Sequence, residues 1–143
     1  MDPKDLESKI TSKTKAVIAV HMLGTPARLK EIKKICEKYN LFLIEDTAWG
    51  CGGNLENINL GNWGDIGTFS FDFAKTITTG EGGMITTNNK SLFEKLKILR
   101  SHGVIRSKKL FKNKKYALDN LDNANRWYYE MQELGFNYRM TDI

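Results

Sequence analysis

The stretch FDFAKTITTGEGGM, residues 71–84, sets Lys75 between an aromatic run and a series of threonines and glycines. A solvated surface lysine needs no such neighbours. A lysine amine that is desolvated or placed near other cations becomes nucleophilic and condenses with carbonyl groups to form Schiff bases. Glycines here would let a flat ligand approach the backbone, and the threonines would add hydroxyl donors. Ser70, five residues earlier, could bind a phosphate oxygen beside that amine, or simply satisfy a backbone group. In IED, residues 44–46, two carboxylates stand where an apolar run ends. Ligands of open α/β sheets sit outside the carboxyl ends of strands, so Glu45 and Asp46 are site candidates. The alternative is that both cap turns in solvent. The small residues of AWGCGG, 48–53, favour a ligand approaching the backbone.

Several other chemistries lose their support on spacing. Gly80, Gly82 and Gly83 do not complete G-x-G-x-x-G, because Ile85 stands in the last place, and Gly50 and Gly52 fail at Leu55. No G-x-x-x-x-G-K-[ST] occurs, and Ser70 lies in FSF rather than G-x-S-x-G. Cys36 and Cys51 share no metal spacing with His21 or His102, so no metal site is expected. Two cysteines make no disulfide framework, and a reduced, cytoplasmic setting is the default.

The elements that must position these residues follow from apolar pattern. AVIAV, 16–20, is a strand of the doubly buried kind. Thr25 and Pro26 then read as N-cap and first helical residue. Leu29, Ile32, Ile35, Cys36 and Tyr39 recur at helical spacing up to Asn40, which suits a left-handed helix end. LFLI, 41–44, is the next strand, so the pair should be parallel within a βαβ unit. IGTFSF, 66–71, and MITT, 84–87, read as strands flanking the lysine loop. SLFE, 91–94, has capping-box spacing and opens a helix to about Leu99. Residues 104–131 are expected to form a mobile loop.

A chain of 143 residues suits one domain with a real core. Its 41% hydrophobic and 27% charged residues are ordinary for a soluble globular protein. The polar start MDPKDLESKI is no signal peptide, and no apolar run approaches the ~20 residues of a membrane span, so no membrane association is expected. The net charge is +5, and RSKKLFKNKK, 106–115, carries six basic residues and no acid. No recognition motif accompanies it, so it reads as a solvated loop and no nucleic-acid partner is expected.

Five blocks in consistent order carry a resemblance: VHMLGTPA (20–27), LIEDTAWGCGG (43–53), GDIGTFSFDFAKTITTGEGGMITTN (64–88), LRSHG (99–103) and ELGFNYRMTDI (133–143). Together they resemble the sugar aminotransferases of the DegT/StrS group, enzymes that use pyridoxal 5'-phosphate. The resemblance implies an α/β fold, as a piece of the mostly parallel, three-layer large domain of the aspartate-aminotransferase-like type (fold type I). It implies that Lys75 is the Schiff-base lysine, Asp46 the partner of the cofactor's pyridine nitrogen, and Ser70 a ligand of its phosphate. It also implies that Asn137 reaches the phosphate of a neighbouring subunit, hence a homodimer with shared active sites. Trp49 departs from the pattern: the family commonly has glutamine or histidine there, beside the cofactor's ring hydroxyl, whereas an indole can donate one hydrogen bond and accept none. The implied substrates are a nucleotide-linked keto-sugar and an amino-acid donor, glutamate, in the synthesis of polysaccharide or related sugars. The family's sugar dehydratases have histidine at the position of Lys75, so transamination is the expectation and dehydration the alternative.

Relatives of this type are longer. They have an earlier phosphate-binding segment and a later small domain, and here Thr141 or Asp142 reads as the start of a helix where the sequence stops. The expectation is therefore a fragment, inactive alone, with an idle binding or assembly piece as the competing reading.

Overall fold

The computed structural model describes residues 1–141. The described chain divides into two compact units, residues 1–90 with Met140 and Thr141, and residues 91–139.

In the first unit, α1 (Pro3–Lys9) is opened by Asp2, whose side chain accepts the N–H groups of Lys4 and Asp5. β1 (Ala16–Val20) follows and then α2 (Leu29–Tyr39). The helix starts later than Thr25-Pro26 suggested, because residues 22–24 form a 3₁₀ turn in which Leu23 takes φ 50°. Asn40 ends α2 in the left-handed conformation expected of it, at φ 53°. β2 (Phe42–Asp46) extends two residues past the apolar run, so Glu45 and Asp46 belong to the strand.

A small hairpin of β3 (Asn54–Leu55) and β4 (Ile58–Asn59) precedes β5 (Ile66–Ser70) and β6 (Gly83–Thr86). The main sheet runs in the order β1-β2-β5-β6. Its first three strands are parallel and β6 is antiparallel to β5. This mostly parallel α/β sheet is the expected fold class.

The two faces of the sheet differ. Val17, Ala19 and Leu43 turn to α2 and pack with Leu29, Ile32 and Cys36, joined by Leu60 and Trp63. Strand alternation turns Ile18, Val20, Phe42, Asp46, Thr68 and Ser70 the other way. No helix of the first unit covers that second face among the described residues: Ile18 is 55% exposed and Phe42 59%.

The second unit continues α3 (Lys90–Leu99) into residues 104–131, which carry short elements where a loop was expected. These are β7 (Val104–Ile105), α4 (Lys114–Ala117) and β8 (Glu130–Met131), with β7 antiparallel to β8. Ile105, Phe111 and Ala117 form its own small core, and the Phe111 and Tyr128 rings meet edge to face at 5.0 Å. Glu130 staples this unit. Its carboxylate accepts the N–H groups of Lys112 and Asn113 at 2.8 and 2.7 Å, the Tyr128 hydroxyl at 2.8 Å and the Gln132 amide at 2.7 Å. Such short elements escape a reading by periodicity. The helix opening expected at Thr141 or Asp142 falls largely outside the described residues; Thr141 itself is irregular. No described helix is long and apolar enough to cross a membrane.

Candidate functional site

Asp46 is the last residue of β2 and Ser70 the last of β5, so both stand at carboxyl ends of adjacent parallel strands. By alternation they share the sheet face opposite α2. Asp46 Oδ1 accepts the Ala48 N–H at 3.1 Å, which begins the turn that carries Trp49. Its Oδ2 has no hydrogen-bond partner among the described residues. Ser70 Oγ accepts the Asp72 N–H at a long 3.4 Å, leaving its own proton free to donate.

Lys75 lies in the loop between β5 and β6. The loop starts with a turn in which the Lys75 N–H reaches the Asp72 carbonyl at 3.0 Å. The Lys75 side chain is half-buried, and its Nζ lies over the Trp49 ring, 4.1 Å from the centroid. Cation–π attraction holds an ammonium over an indole face at this distance. No carboxylate pairs with Lys75 among the described residues. The loop carrying Asp46 and Trp49 and the loop carrying Lys75 therefore meet at one edge of the sheet. Within these two loops, a Cβ at Gly52 or Gly80 would meet nothing within 4 Å.

Asn137 belongs to the second unit. It is exposed, bridges Ser101 in an antiparallel pair, and its Oδ1 accepts the Arg139 N–H at 3.3 Å.

A second cluster lies on the helix side of β2. Glu45 is fully buried, which rules out the solvent-exposed turn cap that was one reading of it. Its Oε2 accepts the His21 Nε2–H at 3.1 Å and the Gly61 N–H at 2.9 Å. Its Oε1 accepts the N–H groups of Trp63 at 2.7 Å and Gly64 at 2.8 Å. Burial pushes the carboxyl up, but the His21 bond and the Gly61, Gly64 and Trp63 amides together outweigh it and hold it below the ordinary glutamate value. The sequence did contain a signal for this. Alternation along FLIED puts Glu45 on the side of Leu43, and an acid among core residues must be paired.

Gly61 is required here by geometry. Its φ is +89°, and a Cβ would lie 2.5 Å from the Phe69 ring. That close approach lets its N–H reach Glu45.

A profile of the DegT/DnrJ/EryC1/StrS aminotransferase family matches residues 1–143. The chain belongs to this family. The "Uncharacterized protein MJ1066" of Methanocaldococcus jannaschii is 44% identical to it over 98% of the chain and 34% of the relative. The GDP-perosamine synthase of Escherichia coli O157:H7 is 38% identical over all of the chain and 34% of the relative. Among solved structures, "Helicobacter pylori PseC, aminotransferase involved in the biosynthesis of pseudoaminic acid" superposes with a TM-score of 0.82 at 29% identity, over 97% of this chain and 33% of that one. The family member described here thus spans about a third of the length of the curated relatives it matches.

Proposed function

We propose that this chain carries the reacting part of a pyridoxal-phosphate-dependent aminotransferase that moves an amino group from an amino acid, glutamate, to a nucleotide-linked keto-sugar. The observation that carries this reading is the Lys75 amine held 4.1 Å over the ring of Trp49, three residues past Asp46, at the carboxyl end of a parallel sheet.

The residues present fit the cofactor. An amine without a carboxylate partner suits its aldehyde, a carboxylate with spare acceptor capacity suits its pyridine nitrogen, and a hydroxyl free to donate suits its phosphate. When bound, the cofactor supplies an electron sink for the carbanion formed at the substrate carbon. Lys75 would hold the aldehyde covalently and afterwards move a proton at the substrate carbon. Asp46 would keep the pyridine nitrogen protonated by supplying negative charge beside it. Ser70 would donate to a phosphate oxygen. Trp49 would give the lysine a broad π surface, which glutamine lacks. Asn137 would serve the phosphate of a second subunit, in a homodimer with shared sites.

In the test, the chain is incubated with pyridoxal phosphate, reduced with borohydride and digested. The expected result is the cofactor's mass on the peptide carrying Lys75, and no such mass in Lys75→Ala. Labelling spread over surface lysines, or persisting in that variant, would sink the assignment.

The second reading, an idle binding or assembly piece, is favoured by the exposed sheet face opposite α2. Specific labelling at Lys75 decides against it. No observation favours dehydration over transamination.

A further inference from the structure

We propose that Glu45 and His21 form a positioning unit, in which a buried carboxylate and a single-tautomer histidine fix the strand end from which Asp46 projects. The proposal rests on the reading of Asp46 given above. Both side chains are fully buried. Every partner of the carboxylate is a donor: His21 Nε2, and the N–H groups of Gly61, Trp63 and Gly64. A protonated Glu45 would point its hydrogen at one of them, so the network requires the anion.

The histidine is constrained from its other side. Its Nδ1 accepts the Ala27 N–H at 3.1 Å. The ring proton must therefore sit on Nε2, which makes His21 a neutral donor to Glu45. Three stretches of chain meet at these two residues: the turn after β1, the end of β2 and the 60–64 turn leading to β5.

The link to the site is through the main chain. The His21 N–H donates to the Asp46 carbonyl at 3.0 Å, so one histidine grips residue 45 by its side chain and residue 46 by its backbone. On the opposite side of β2, the Thr47 N–H donates to the Thr68 carbonyl at 2.8 Å. Glu45 and Asp46 are consecutive and point to opposite faces. A displacement of Glu45 on the helix side therefore tilts the Asp46 carboxylate on the other. Neither Glu45 nor His21 faces the reacting groups, so both are positioning residues.

Glutamine cannot substitute. Each carboxylate oxygen receives two N–H groups, and an amide NH₂ placed at either oxygen's position would oppose two donors.

The test uses amide exchange and NMR on the full chain, without cofactor. In Glu45→Gln the amides of Gly61, Trp63 and Gly64 should exchange about tenfold faster or more, as expected when buried donors lose their acceptor. The Asp46 carboxyl and Ala48 amide resonances should shift with them, while the amides of Ile32 and Ile35 in α2 stay protected. Unchanged exchange at Gly61, Trp63 and Gly64 would overturn the proposal. So would fast exchange there with the Asp46 and Ala48 resonances in place, because Glu45 would then hold only the turn. The wild-type chain gives a check that needs no variant: the His21 nitrogen shifts must show Nδ1 bare and Nε2 protonated, and the reverse also overturns it. Asp46→Asn, read by pyridoxal phosphate binding to the same chain, tests the site reading separately. Unchanged affinity there removes the role of Asp46 and leaves the Glu45 result standing.

Discussion

The Nζ of Lys75 rests 4.1 Å from the centre of the Trp49 ring, tying the loop after β5 to the turn after β2. The contact predicts a magnetic signature. The Lys75 ε-methylene protons should be shifted upfield by the indole ring current, and Trp49→Leu should return them to the position of a free lysine. Exposed cation–π contacts contribute about 0.5–1 kcal/mol, so this variant should change global stability by no more than that. A Lys75 methylene resonance at the free position in the wild type would contradict the contact.

Glu45 predicts an acid limit for the first unit. Its folded pKa lies below its unfolded value, so its contribution is fully present above the ordinary glutamate range, near 4.5, and is lost as pH falls through the lower folded value. Urea unfolding followed between pH 7 and pH 3 should show stability falling below about pH 4.5. Glu45→Gln should be less stable at pH 7, by about 1–3 kcal/mol for each buried donor left unpaired, and should lack this component of the acid loss.

Glu130 predicts a separate and lower limit for the second unit. The N–H of Lys112 leads the bonds that hold its carboxyl down at about 2, from an ordinary 4.5. The staple is thus complete above pH 4.5 and disappears as pH falls toward 2. The amides of Lys112 and Asn113 and the near-ultraviolet signal of Tyr128 should report its release. Glu130→Leu should show the released state already at pH 7.

Ile32 is fully buried at the centre of the contact between α2 and the sheet. Ile32→Ala should destabilise the first unit by about 2–5 kcal/mol in thermal or urea unfolding. Lys34→Ala, on the exposed side of the same helix, should stay within about 0.5 kcal/mol.

The long periodic elements could be read from sequence because their patterns are strong. AVIAV marked β1 to the residue, the Leu29–Tyr39 repeat marked α2 and its end at Asn40, and LFLI marked β2 but not its last two residues. The late start of α2 was hidden by the 3₁₀ turn at Met22–Gly24, which breaks the path from strand to helix. The short elements of residues 104–131 were not legible, since a two-residue strand has no period to detect. At the site, Asp46, Ser70 and Lys75 stood out by residue type and by their place at or just beyond the ends of strands. The partnership of Glu45 with His21 did not, because residues 24 apart meet only once the sheet and the 60–64 turn are folded.

Val20 and Asp46 are register partners on neighbouring strands, and both face away from α2. Strands lie about 4.8 Å apart, so anything laid over the Val20 methyl groups also comes to lie over the Asp46 carboxylate. Shielding that greasy surface and drying out the acid are consequently one event. Field strength around Asp46 is then set by whatever roofs the sheet, since charges interact far more strongly once water is expelled from around them.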